Sequence, residues 1–149
     1  MNKKNSLVNE ALSILENDPI QKEIDFKGIP LAIEWLKGST RQYADGFKKL
    51  MVANYGYVKG TLDYDGEEVD VYVGDNLESD RVFKLRQLDH DHSYTVDEVK
   101  WMMGFDSREE AIKVFVKSTE PWMFGGIIDE LTIEEFKNRM IANQANKTK

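Results

Sequence analysis

Residues 54–74, NYGYVKGTLDYDGEEVDVYVG, carry two short aromatic and β-branched runs on either side of an acidic turn. Gly66, directly after Asp65, gives the backbone the freedom a tight turn needs. Beyond it Val69, Val71 and Val73 alternate with Asp70 and Tyr72. The valines therefore share one face of a strand, and Asp70 and Tyr72 the other. Asp70 lies one residue from valines expected in the core, where an uncompensated carboxylate is costly. Asp63, Asp65, Glu67 and Asp70 either stand in water around a solvated turn or converge on a cation. In the second case Asp65, Glu67 and Asp70 meet near the start of the strand and offer the oxygen ligands that hard divalent ions take. The spacing of Asp63, Asp65 and Glu67 also suits a calcium loop. That reading fails, because the sixth position is Glu68 and the twelfth is Gly74.

Working outward, PLAIEWL, ANYGYVKGT, EEVDVYVG, RVFKLRQL and VDEVKWMMGF read as five short strands between Ile29 and Met103. KGSTRQYADG, LDYDGE and GDNLESD break them. With no helix between them, an antiparallel meander or small barrel is expected, not a βαβ sheet. Two helices follow. FDSREEAIKVFVKS opens with Ser107 and Glu110, and LTIEEFKNRMIAN with Thr132 and Glu135, both in the spacing of a capping box. Ala111, Val114 and Phe115 form the apolar stripe of the first, and Ile133, Phe136 and Met140 that of the second. Near the start, Leu7, Val8, Ala11, Leu12 and Leu15 recur at helical spacing until Asn17, Asp18 and Pro19. The expected organisation is an amphipathic helix and connector over residues 1–28, a main domain over 29–142 and a frayed tail over 143–149.

The 149 residues suffice for one domain with a sizeable core, and 41% hydrophobic with 32% charged residues is ordinary for a globular chain. A net charge of −7 disfavours non-specific grip on nucleic acid or an anionic membrane. The absence of cysteine rules out disulfides and thiolate zinc sites. No stretch approaches the roughly 20 apolar residues of a membrane span, and the first residues make a poor signal peptide. A cytoplasmic location is the expectation.

NYGYVKGTLDYDGEEVDVYVG resembles the signature of the soluble, family I type inorganic pyrophosphatases, in which Asn-Tyr-Gly-Tyr/Phe precedes an Asp-Gly-Asp-Pro-x-Asp-Val run. IEWLKGSTR and DEVKWMMGFDSREEA resemble two further segments of the versions found in phage and prophage proteins, in the same order. The resemblance covers about Leu31 to Met140. It implies an α+β fold: a small OB-like antiparallel β-barrel with flanking C-terminal helices, here with an extra N-terminal helix. It implies Mg²⁺-dependent hydrolysis of pyrophosphate or a related diphosphate, with Mn²⁺ as an alternative ion, in a bacterial or phage-infected cell. Asp65, Glu67 and Asp70 would be metal carboxylates, joined by Glu98 and Asp97. Lys37, Arg41 and Lys100 would bind phosphate oxygens. Tyr55 would hydrogen-bond near metal or product, Glu34 would add an acidic group beside the metals, and Asp70 would help deprotonate the attacking water. Glu67 stands where aspartate is usual, Met51 where the cellular enzymes have tyrosine, and Met123 where phage-type relatives often carry lysine. The late Tyr-Lys pair has no clear counterpart, Lys117 being the nearest lysine.

The remaining features have plainer readings. His90 and His92 in DHDHS would share a strand face and suit a transition metal, but the stretch reads better as a polar hairpin tip. Trp35 and Trp101 fall in apolar strand segments and are read as packing residues before base-stacking ones. Gly125 and Gly126 read as a flexible turn. The competing functional reading is a catalytically weak or inactive relative, of phage or mobile-element origin, that binds a host protein. A homo-oligomer is compatible with either, and a nucleic-acid-binding barrel ranks third.

Overall fold

The computed structural model describes residues 19–43, 46–62 and 68–147. The helix expected before residue 19, the Asp65–Gly66 turn and the last two residues lie outside them, as do the side chains of residues 61–62, 97 and 141–147. The five expected strands are present as β2 (Ile29–Trp35), β5 (Asn54–Leu62), β6 (Glu68–Val73), β7 (Arg81–Leu88) and β8 (Val96–Met103). Four more accompany them: β1 (Lys22–Phe26), β3 (Thr40–Gln42), β4 (Lys48–Leu50) and β9 (Phe124–Thr132). β1 falls in the stretch expected to be helix and connector. β9 runs through Gly125 and Gly126, which correct the expected turn. A Cβ on Gly125 would lie 2.8 Å from the Arg86 carbonyl oxygen, and Gly126 has φ +105°, so glycine lets β9 pass an irregularity in its pairing with β7.

The helices begin where the sequence places their caps. α1 (Arg108–Ser118) is capped by Ser107 Oγ, which accepts the Glu110 N–H at 3.1 Å. Glu110 reaches back one residue further than the usual box, to the Asp106 N–H at 2.8 Å. α2 (Ile133–Lys147) has the full reciprocal arrangement: Thr132 Oγ1 accepts the Glu135 N–H at 3.1 Å, and Glu135 Oε1 accepts the Thr132 N–H at 3.0 Å. Each cap satisfies donors that the first helical turn leaves without partners.

Seven strands form one sheet in the order β1-β2-β5-β6-β8-β7-β9, and β3 and β4 form a separate hairpin. Every neighbouring pair is antiparallel except β6 and β8, which run parallel. A pure meander is thereby excluded. The expected OB-like barrel is also corrected, because β1 and β9 end the sheet and do not pair with one another. The reason lies in the burial. A closed barrel has one interior, whereas this sheet buries residues on both faces. Val58, Val71, Val73, Val82, Trp101 and Met103 pack with Phe136 and Met140 of α2. Tyr55, Tyr72, Phe83, Leu85 and Met102 pack with Ala111 and Phe115 of α1. The Trp101 and Phe136 rings meet edge-on at 5.0 Å, and Tyr72 and Phe115 at 6.0 Å. The alternation read in VDVYV holds: its valines join the α2 core and Tyr72 the α1 core.

Gly56, inside the Asn-Tyr-Gly-Tyr run, has a packing reason. A Cβ there would lie 1.8 Å from the Ala32 carbonyl oxygen. Only glycine lets β5 approach β2 this closely, next to a register shift between Ile33 and Trp35. Among the described residues no helix is long and apolar enough to cross a membrane.

Candidate functional site

Strand register brings the charged residues together on the α1 face. Tyr55 on β5 lies opposite Tyr72 on β6, and Tyr57 opposite Asp70. The parallel pairing of Val71 with Trp101 then sets Asp70 beside Lys100 of β8. Across the β7–β8 hairpin, Gln87 is opposite Glu98. Lys100 is 3% exposed and forms the centre. Its Nζ donates to Tyr55 Oη at 2.5 Å, to Asp70 Oδ2 at 3.0 Å, and forms an ion pair with Glu98 Oε1. An ammonium has three N–H donors, and here each faces an acceptor. Burial opposes the Lys100 charge, but Tyr55, Asp70 and Glu98 more than offset it, holding the lysine well above its ordinary pKa. Burial likewise raises Tyr55, with the Lys100 cation opposing.

The two carboxylates are unequal. Glu98 Oε1 also accepts from Gln87 Nε2 at 3.3 Å, and Gln87 is itself buried. Lys100 and Gln87 engage one oxygen of Glu98, and Lys100 one of Asp70. Asp70 Oδ1 and Glu98 Oε2 have no protein partner among the described residues. Two carboxylate oxygens left beside a single ammonium suit a hard cation, which takes oxygen ligands and keeps waters. Asp65 and Glu67 lie outside the described residues, as does the Asp97 side chain, and among the described residues no group of three acidic or histidine side chains is gathered.

The β3–β4 hairpin supplies the second cation. The Arg41 guanidinium carbon lies 4.5 Å from the Tyr43 ring centroid and 4.5 Å from that of Tyr55, between the two rings. Tyr55 thus carries Arg41 over its ring face and accepts the Lys100 ammonium at its hydroxyl. Met51, following the hairpin, is fully buried in the same cluster of rings.

Other residues singled out in the sequence stand apart. Lys37 donates its backbone N–H to Asn54 Oδ1 at 2.8 Å, and its exposed side chain pairs with Asp75 at 2.7 Å, not with the Lys100 cluster. Glu34 lies at the β2–β5 irregularity, and after burial and Glu68 its charge helps raise Tyr57. Lys117 closes α1, and Met123 is packed in the α1 core. His92 lies in the β7–β8 hairpin tip, where its ring stacks 4.0 Å from Trp122, and the Trp122 indole N–H donates to the His90 carbonyl at 3.0 Å.

Gln87 was missed from sequence. A signal existed: in RVFKLRQL it follows Phe83 and Leu85 at alternate positions, so a polar amide occupies an inward-facing place.

A family model described as Inorganic Pyrophosphatase matches residues 15–141. No curated protein and no solved structure matches the chain.

Proposed function

The chain belongs to the inorganic pyrophosphatase family, and from that premise we propose that it hydrolyses a phosphoanhydride, most simply pyrophosphate to two phosphates, with Mg²⁺ as cofactor and Mn²⁺ as a substitute. The observation that carries the reading is the Asp70–Lys100–Glu98 cluster. Acid groups from two strands flank one buried ammonium, each keeping an oxygen clear of partners among the described residues. Asp70 and Glu98 would hold the ion, with Asp65, Glu67 and Asp97 contributing from neighbouring positions. When bound, the ion screens the negative charge of the substrate and eases deprotonation of water.

The chain's own groups perform the rest. Arg41 and the Tyr55 hydroxyl donate to phosphate oxygens, and the buried positive charge of Lys100 favours the anion. Lys37 belongs to the same reading as an outer phosphate contact, reached by leaving Asp75. Glu34 adds negative charge near Tyr57. Asp70 accepts the proton of the attacking water, the new P–O bond forms as the bridging P–O bond breaks, and the second phosphate departs. Lys100 donates directly to a phosphate only by giving up one of its three acceptors, which makes it first an organiser of the two carboxylates.

Phosphate release from pyrophosphate with Mg²⁺ tests this, comparing wild type with Asp70→Asn. The variant should lose roughly 100-fold or more in kcat. Equal rates would remove Asp70 from the mechanism. No turnover in either protein would favour the binding-protein reading.

A further inference from the structure

Tyr72 is fully buried, and its hydroxyl has no hydrogen-bond partner among the described residues. A buried O–H without a partner is costly, so such groups are rare and call for a reason. Two other buried polar atoms share the condition, Trp101 Nε1 and Ser118 Oγ. Trp101 belongs to the opposite face of the sheet, and Ser118 ends α1. Tyr72 differs in its surroundings. Its ring centroid is 4.7 Å from that of Tyr55, the tyrosine that accepts from Lys100 and carries the Arg41 guanidinium over its ring. Tyr43, Tyr55, Arg41 and Lys100 are all within electrostatic reach of it. The unpartnered donor thus stands near two cations and a second hydroxyl, that of Tyr55.

We infer that the Tyr72 hydroxyl is an anion-binding donor, completing with Arg41 and Tyr55 a seat for one phosphate group of a diphosphate. This rests on the proposed function and adds to it a residue that neither the sequence motifs nor the family match assigns. Access would come past Arg41. Arg41 is only partly buried and lies on the Tyr55 ring from a hairpin that is not part of the main sheet. An anion that draws the guanidinium off the two rings opens the way to the hydroxyls beneath. Tyr72 then makes with the ligand the hydrogen bond it lacks among the described residues.

The test is Tyr72→Phe, which removes one oxygen and keeps the ring that packs on Tyr55 and Phe115. Imidodiphosphate with Mg²⁺ is titrated calorimetrically into the full-length wild type and variant, thermal unfolding is measured for both, and pyrophosphate turnover is followed in parallel. The expected result is binding weakened roughly 10-fold or more, the size of a lost hydrogen bond to a charged group, with Tm unchanged or raised. Binding equal to wild type overturns the inference, and so does weakened binding accompanied by a lower Tm, which would make the hydroxyl structural. If the wild type binds imidodiphosphate but hydrolyses no pyrophosphate, the hydrolase reading fails and Tyr72 is still judged by the titration. If the wild type binds none, both fall.

Discussion

The two faces of the central sheet come from the same strands and do different work. On the α2 side, Val71, Val73, Trp101 and Met103 meet Phe136 in an apolar core. One residue along in each strand, on the α1 side, Asp70, Tyr72 and Lys100 meet Tyr55 and Glu98. The α1 face is apolar only in part: Phe83 and Phe105 of the sheet side pack there with Phe115 of α1 itself. A period of two residues lets one face secure the fold while the other holds polar groups in place. A polar cluster on a bare loop would not be fixed in this way, because its backbone would lack the packing behind it.

If that division is real, damage to one face should read out differently from damage to the other. The largest effect on stability should come from Phe136→Ala, which opens a cavity against Trp101. Chemical denaturation should show a loss of about 3–5 kcal/mol, while the KM of the folded protein stays at its wild-type value. A changed KM would show that the faces are not independent. Lys100→Met should follow. It leaves Asp70 and Glu98 facing each other, at a cost of about 2–4 kcal/mol, less than for a fully buried pair because both carboxylates are partly exposed. Here turnover should fall together with stability, and a variant that keeps full activity would break the comparison.

The smallest effect is on alkaline stability. Tyr55, Tyr72 and Lys100 are all raised above their ordinary values of 10.0, 10.0 and 10.5 in the folded protein. The unfolded chain releases these protons first as pH rises. Their contribution is therefore complete below about pH 10 and declines as pH climbs towards the folded-state values. Thermal unfolding followed upward from about pH 8 should show that decline. Tyr72→Phe should flatten it, and Phe136→Ala should leave its slope unchanged.

Legibility in the sequence tracked how local each feature is. The strands β2, β5, β6, β7 and β8 announce themselves by short alternating runs, and α1 and α2 by Ser107–Glu110 and Thr132–Glu135. KEIDF, TRQ and KKL do not, because charged edge or hairpin strands bury too little to leave a pattern. FGGIIDELT was misread because two glycines signal a turn as readily as a strand irregularity. The barrel expectation failed because alternation tells which residues share a face, never which strands pair. At the site, the placement of Asp70 with Tyr72 on the face opposite the valines was readable from their alternation. The joining of Tyr55, Lys100 and Glu98 was suggested only by resemblance, since their partnership depends on long-range register. Lys37, placed with the phosphate ligands on the same resemblance, pairs with Asp75 at the exposed surface.

The parallel pairing of β6 with β8 has a kinetic consequence. Tyr55, Tyr72 and Asp70 belong to the β5–β6 hairpin, and Gln87, Glu98 and Lys100 to the β7–β8 hairpin. Each hairpin closes over a short stretch of chain, but Asp70 and Lys100 are 30 residues apart and meet only across the seam. Closing that longer loop carries more entropy loss than closing either hairpin. A nascent chain can thus hold both halves of the cluster in native form and still lack the site, which comes into being when the two hairpins dock.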